Sequence, residues 1–456
     1  MRAVDAALDL LTPSVLLPAY RMLTKDRTQA YVRNVERIIG ASREKILAHQ
    51  ETRVREVCRV AGSRSSFYRN RFAGAGVDPD NIGLGDLPRL PLLEKDDLRD
   101  RSDEILAAGV ERSTLRQSAT GGTTASPITF WMDWDAEARR RSAAIAFDKW
   151  VGYEPGLPLA LLWGARQDLP ASLSWKDQVR KRIISRNLFL PSSVLDDTIM
   201  EGFARQIDAF RPRLLQTYPS PLEIFAQFLL RRGIRLDVPA ITCTAETLFP
   251  HQIDTIERAF GVTPFNWYGS RECGRVATEC RFHNGMHINA YGLFVEVLEE
   301  DRFEQPGTGQ IVITDLWNTS FPMIRYRTGD VGRIDVSRCE CGLELPRIVE
   351  VCGRMTDVFI NSKRQRIPGV AFTNRIITES DVIEEMQILQ HDYRRFEILI
   401  KPGPHYTVET EIWIGECLDE FIGESVVAKF ELVREIPHEK SGKLRFCKNL
   451  MPADAS

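Results

Sequence analysis

Three short apolar runs constrain this chain most: 159–163 (LALLW), 213–217 (RLLQT) and 241–244 (ITCT). Each is strand-length and rich in residues that belong in a core. Helical spacing at 199–210 and 221–233 lies between them, and such alternation of buried strands with helices argues for α/β layers. Upstream, Val32, Val35, Ile38, Ile39, Ile46, Leu47, Val54 and Val57 fall at helical intervals, so 28–75 reads as helix, and 135–151 reads as another. Downstream of about residue 285 the texture changes. Segments 287–299, 309–315 and 331–336 read as strands, a β-rich subregion. The last hundred residues alternate again, with strands near 357–361, 395–401 and 429–433 and helices near 370–379 and 416–427, the pattern of a small α+β domain.

Composition narrows the function classes. The 456 residues carry 60 Lys+Arg against 63 Asp+Glu, a net charge of −3. No basic excess exists to drive counterion release, so a dedicated nucleic-acid binder is excluded. Nine cysteines in a long chain do not read as a disulfide framework, and a reducing cytoplasm is expected. Residues 6–23 are apolar but interrupted by Asp9, Pro13, Pro18 and Arg21. They read as a helix packed on its own domain, with membrane contact not expected.

Five segments have side chains suited to chemistry. Ser118–Pro127 (SATGGTTASP) places two glycines among hydroxyl residues, which suits a loop wrapping phosphates, although the Lys-Ser/Thr pair of a P-loop is missing. Trp267–Glu272 (WYGSRE) joins an aromatic face to a carboxylate able to hold a divalent cation. Arg325–Asp330 (RYRTGD) ends on an Asp that can accept from a ribose diol. Gly353–Asp357 (GRMTD) and Pro437–Arg445 (PHEKSGKLR) follow, the latter with Lys443 on a Gly-containing loop. Taken singly, each is equally a hairpin, a strand end or a solvated turn.

In this order the segments resemble the adenylate-forming superfamily of acyl-CoA synthetases and adenylation domains. The match is nearest to its phenylacetate–CoA ligase branch, capsule-biosynthesis-type members included. Tyr218-Pro219-Ser220, Thr244–Leu248 (TAETL), Gly285–Ile288 (GMHI), Phe67-Tyr68-Arg69 and Leu90–Lys95 (LPLLEK) add to the resemblance, which spans essentially the whole chain. It implies a large multi-subdomain N-terminal adenylation domain, residues 1–352, and a small mobile α+β C-terminal domain, residues 353–456. It also implies ATP, Mg²⁺ and coenzyme A in two steps: a carboxylic acid attacks the α-phosphate of ATP, and a thiol then displaces AMP. By this resemblance Thr120, Gly121, Gly122, Thr123 and Thr124 form the phosphate loop. Glu246 and Tyr268 lie beside the adenine, Glu272 is the Mg²⁺ carboxylate and Asp330 holds the ribose. Arg354 contacts the nucleotide beside the hinge, and Lys443 bridges the carboxylate and the α-phosphate. The acid pocket is placed between Trp163, Tyr218 and Ala245, whose aromatics point to an aryl or other apolar acid. A homodimer is a family-level expectation.

The chain departs from the family pattern twice. Ala125-Ser126 stands where many members have Gly-Lys, which removes a positive charge from the phosphate loop, and Thr356 stands at the usual hinge Asp. Two alternatives therefore stay open: adenylation with an amine, hydroxyl or carrier-protein acceptor, or AMP transfer to a phenol-type substrate as in coenzyme F390 synthetases. A non-catalytic nucleotide-binding relative would not need Glu272, Asp330 and Lys443 together. Separately, Cys280-x2-His283, His287 and Cys339-x-Cys341, with Cys273 nearby, could supply a structural Zn²⁺ site. His283 and His287 compete for one ligand position, and the sequence does not choose.

Overall fold

The computed structural model describes residues 8–119, 128–163, 181–192, 195–299, 302–304, 306–354, 358–364, 366–368, 382–403, 405–436 and 447–451. Residues 8–23 are helical and pack through Thr12 and Leu17, while Leu10, Leu11, Val15, Met22 and Leu23 stay exposed. The segment therefore lies on its own domain along one face only. No helix among the described residues is long and apolar enough to cross a membrane.

The stretch 28–75 is not one helix but three: α1 (Thr28–Ile39), α2 (Arg43–Arg64) and α3 (Ser66–Ala75). The breaks fall at Ser42 and Ser65, both extended, and Ser65 accepts the Tyr68 amide to cap α3. Such serines favour caps over helix continuation, and apolar spacing alone does not register them. Next come a hairpin of β1 (Arg116–Ala119) and β2 (Thr129–Met132), and then α4 (Trp134–Asp148), capped by the Asp133 carboxylate.

β3 (Leu159–Trp163), β4 (Asn187–Pro191), β5 (Leu214–Thr217), β6 (Ile241–Thr244) and β7 (Phe265–Ser270) are parallel, in the order β4-β3-β5-β6-β7. α5 (Asp197–Phe210), α6 (Pro219–Arg232) and α7 (Pro250–Phe260) supply the crossovers. α6 and α7 each begin on a proline, whose missing N–H costs nothing in a first turn. Their inner faces, Leu222, Phe225, Phe228, Leu229, Ile256 and Phe260, pack with Met200 and Phe203 of α5 on Ala160, Leu162, Leu215, Ile241 and Cys243. All four residues of β6 are buried, as a parallel strand covered by helices requires.

The β-rich region is the continuation of this sheet rather than a separate unit. β8 (Gly274–Glu279), β9 (Met286–Ile288), β10 (Leu293–Glu299), β11 (Arg302–Glu304), β12 (Gly307–Asp315), β13 (Tyr326–Asp335) and β14 (Arg347–Arg354) add antiparallel strands in the order β7-β8-β9-β14-β13-β12-β10-β11, giving twelve in all. The change of direction occurs at the tight turn between β7 and β8.

The C-terminal part has its own core. β15 (Val358–Ile360) pairs with β16 (Arg366–Pro368). β17 (Ile383–Asp392), β18 (Arg395–Pro402), β19 (Val427–Leu432) and β20 (Cys447–Asn449) form a four-stranded sheet, order β19-β18-β17-β20, covered by α8 (Val408–Ile422). Phe359, Met386, Ile388, Phe396, Ile398 and Ile400 pack there on Ile414, Leu418 and Ile422. The helix expected at 416–427 is thus displaced to 408–422. Thr407 starts it with a capping box, and Gly423, at φ +76°, ends it in a left-handed conformation that suits glycine. β17 went unread because a glutamine sits on its inner face: Gln390 is buried and exchanges two hydrogen bonds with the Ile360 backbone. The helix expected at 370–379 lies outside the described residues.

Candidate active site and thiol–imidazole cluster

The parallel register carries the site. Leu162 aligns with Thr217, Thr217 with Cys243 and Cys243 with Asn266. The residues that follow on each strand, Trp163, Tyr218, Thr244 and Trp267, therefore stand in one row along the carboxyl edge, where ligands bind in open α/β sheets. Trp163 and Tyr218 meet there, ring centroids 4.3 Å apart and tilted by 38°. Ala245, just past β6, is exposed at φ +69°, a conformation unusual for a residue with a Cβ. Its neighbour Glu246 accepts hydrogen bonds from the Ser220 amide at 3.0 Å and the Ser220 hydroxyl at 2.6 Å. That carboxylate thus ties the end of β6 to the first turn of α6.

Two tyrosines hold two carboxylates beside this row. Tyr268, in β7, donates to Asp330 Oδ2 at 2.6 Å. Burial, reinforced by the adjacent Asp330 charge, raises the Tyr268 phenol well above its ordinary range. Asp330 sits after Gly329, and its amide donates to Thr328 Oγ1, which itself donates to the Ile311 carbonyl. Tyr326, wholly buried in β13, donates to Glu272 Oε1 at 2.9 Å. Burial and then the Glu272 charge push its phenol upward too, so both tyrosines remain donors. Tyr326 is fixed from outside the sheet, where Leu93 bonds the backbone on either side of it (N to Arg325 O, O to Arg327 N). Arg354 ends β14 opposite Asp330 in the strand register.

The turn bearing Glu272 is anchored separately. Arg140 of α4 donates to the carbonyls of Ser270, Arg271 and Glu272, and Ser270 Oγ accepts the Cys273 amide at 3.1 Å. Arg271 donates at 3.2 Å to the Ala119 carbonyl, the last residue of β1 before segment 120–127. Thr120, Gly121, Gly122, Thr123 and Thr124, expected as the phosphate loop, lie outside the described residues with Ala125 and Ser126, as do Thr356 and Lys443.

On the antiparallel half, Cys280, His287, Cys339 and Cys341 converge, each offering a ligand atom within 4.8 Å of the others. Cys280 Sγ and Cys339 Sγ are 3.9 Å apart, and Cys341 Sγ lies 3.4 Å from His287 Nε2. Tetrahedral zinc with bonds of about 2.3 Å to sulfur and 2.0 Å to nitrogen spaces its ligands at roughly 3.5–3.8 Å, so the donor set fits. Burial, then the charge of Arg347, lowers the His287 pKa from the ordinary 6.5 to about 4, which keeps the imidazole in its ligating form. Burial pushes the Cys280 thiol up to about 12, a cost that a bound cation reverses. His283 does not join them. Its Nδ1 faces Glu279 Oε2 at 3.1 Å and its ring lies against Phe265, so the competition between the histidines is decided for His287. Cys273 also stays outside the cluster.

Comparison with known proteins agrees with this geometry. Residues 359–450 match the CapK C-terminal domain family. A phenylacetate–coenzyme A ligase of Thermus thermophilus is 29% identical over 333 residues, covering 70% of this chain and 72% of that one. Protein CapK of Staphylococcus aureus is 24% identical, covering 88% of each. Among solved structures, 2-hydroxyisobutyryl-CoA ligase in its postadenylation state superposes with a TM-score of 0.72 at 19% identity, covering 92% of both chains. The chain is thus similar to phenylacetate–CoA ligases and to CapK, and it has the fold of an adenylate-forming CoA ligase.

The sequence motifs singled out Glu272, Asp330, Tyr268, Trp163, Tyr218 and Ala245, but not what holds them. Tyr326 and Ser220 were visible only as motif neighbours. Arg140 was missed altogether, one of three successive arginines in α4. A signal existed: Ala136, Arg140, Ala143 and Phe147 share one helical face, and the other three are buried. Arg140 is thus the arginine carried on the core-facing stripe.

Proposed function

We propose that the chain is an ATP-dependent ligase that adenylates a carboxylic acid, aryl or otherwise apolar, and transfers the acyl group to coenzyme A. The observation that carries this reading is the pair of tyrosine-held carboxylates, Glu272 and Asp330, at the carboxyl edge of the parallel strands, with the Glu272 turn bonded to the strand leading into 120–127. A carboxylate is a poor nucleophile toward an anionic phosphate, so the protein must screen charge and hold the two groups in line. Magnesium bound at Glu272 would screen the phosphate charge. Asp330, already aligned by Tyr268, would take the ribose diol. Thr120–Thr124 would wrap the phosphates with backbone N–H groups, and Arg354 would meet the nucleotide. Lys443, brought in by the domain of residues 353–456, would bridge the attacking carboxylate and the α-phosphate over the larger domain of residues 1–352. Glu246 spends its carboxylate on Ser220, so beside the adenine it would shape the wall rather than lend charge. Trp163, Tyr218 and Ala245 would bound the acid, and a flat ring stacked on the tilted pair favours an aryl group.

Cys280, His287, Cys339 and Cys341 would hold a structural zinc that joins the β8–β9 hairpin to the loop before β14. We place the chain in a reducing cytoplasm on its cysteine usage, nine in a long chain whose spacing does not read as a disulfide framework. A second reading keeps adenylation and changes the acceptor to an amine, a hydroxyl or a carrier-protein thiol, or leaves AMP on a phenol. Thr356 at the hinge and Ala125-Ser126 in the phosphate loop favour it, because domain rotation and pyrophosphate binding both depend on those positions.

The test is pyrophosphate release with ATP and Mg²⁺ over a panel of aryl and aliphatic acids, with and without coenzyme A, with product masses read in parallel. Acid-dependent release giving an acyl-CoA supports the leading reading, and an AMP-bearing or CoA-independent product moves the chain to the second. Full pyrophosphate exchange in Lys443→Ala would overturn the site assignment.

A further inference from the structure

Glu272 stands in the turn where the sheet changes from parallel to antiparallel, and residues 271–273 lie between β7 and β8. A turn of this kind lacks the ladder bonds that fix a strand, so its aim needs another source. The guanidinium of Arg140 provides one. Its Nη1 donates to the Glu272 carbonyl at 3.1 Å, and Nη2 donates to the carbonyls of Ser270, at 3.1 Å, and Arg271. Among the described residues no carboxylate lies within ion-pair distance of this guanidinium. Its hydrogen-bonding capacity goes into three consecutive backbone oxygens. The turn is built to admit it: a Cβ on Gly274, which sits at φ +72°, would lie 2.2 Å from Arg140 Nε and 3.0 Å from its Cγ and Cδ. The same turn reaches onward through Arg271 to the Ala119 carbonyl.

We propose that Arg140 is a positioning residue for adenylation: its fork clamps the Ser270–Glu272 turn to α4 and thereby sets the aim of the Glu272 carboxylate and the spacing between that carboxylate and the entry of segment 120–127. Only a planar group with donors on two nitrogens spans three carbonyls in this way, so lysine is not equivalent. The proposal rests on the reading of Glu272 as the magnesium carboxylate, and its test separates the two.

Arg140→Gln, Arg140→Lys and Gly274→Ala are compared with wild type in two assays on the full chain. Amide hydrogen exchange reads the clamp without any need for turnover. The expected result is roughly 10-fold faster exchange in peptides covering 268–275 and 116–119, with α6 and the small domain unchanged. Acid-dependent ATP–pyrophosphate exchange reads the consequence. A displaced carboxylate is expected to raise the half-saturating Mg²⁺ concentration ~10-fold and to lower kcat ~10- to 100-fold, with the KM for the acid within about 2-fold. Arg140→Lys should fall between wild type and Arg140→Gln in both assays. Unchanged local exchange in every variant overturns the clamp. So does activity lost only in proportion to global unfolding, with the Mg²⁺ dependence of the folded fraction unmoved. If Arg140→Gln does not fold, Arg140→Lys and Gly274→Ala decide by the same criteria. If wild type itself shows no pyrophosphate exchange while the variants loosen the turn, the clamp stands and the ligase reading falls.

Discussion

Polar side chains on the two halves of the large sheet are held by opposite means. At the carboxyl edge of the parallel half, each carboxylate has its own partner: Glu272 takes the Tyr326 hydroxyl, Asp330 the Tyr268 hydroxyl, and Glu246 takes Ser220. The groups are kept separate and aimed, as a site must be if it is to receive a ligand from solvent. On the antiparallel half, three thiols and one imidazole crowd within 4.8 Å of each other, with Arg347 paired across the strands from His287. Such a donor set is the kind that a bound cation would join, drawing the thiols into their ligating form. On the proposed reading the first arrangement serves chemistry and the second cohesion, so damage to each should read out in a different assay.

The largest effect is expected at the cluster. Cys339→Ser should take bound zinc, measured by atomic emission, from one per chain to none, and should cost folding stability on the order of 5 kcal/mol. Acid-dependent pyrophosphate exchange per folded molecule should stay within about 3-fold, and a collapse of that rate at intact folding would break the division between the halves. Glu272→Gln should do the converse, lowering exchange about 1,000-fold, about 4 kcal/mol in barrier, with zinc content unchanged. The chelator-stripped protein supplies a pH signature. His287 titrates near 4 when folded and near 6.5 when unfolded, so the unfolded chain binds the extra proton between those values. Stability is therefore full above pH 6.5 and lost as pH falls toward 4, by about 3 kcal/mol, seen as a falling urea midpoint. In His287→Asn that slope should flatten. Tyr326→Phe leaves Glu272 without its donor and should lower exchange ~10-fold while raising the Mg²⁺ requirement. Smallest of all, His283→Ala should shift stability by less than about 0.5 kcal/mol and leave zinc content untouched; loss of zinc in that variant would return His283 to the ligand set.

Much of the architecture was legible. The runs at 159–163, 213–217 and 241–244 became β3, β5 and β6 because continuous burial on both faces leaves few alternatives to apolar residues there. Legibility failed where polar residues do structural work. Ser42 and Ser65 cut one apparent helix into three, and Gln390 disguised the inner face of β17. Within the site, the motif residues were readable because their chemistry is carried by side-chain type and order along the chain. Their holders come from elsewhere: Tyr326 from 54 residues beyond Glu272, and Arg140 from 132 residues before it.

The sequence by itself determined the α/β class, the order of the motifs, the identity of the acids and the inventory of thiols and histidines, since these depend on local periodicity and residue chemistry. Only the tertiary structure decided which histidine meets the thiols, which donor each carboxylate receives and which of three neighbouring arginines grips the Glu272 turn. Those choices turn on distances of a few ångströms between segments far apart in the chain, and hydrogen bonds and coordination fall away within such distances.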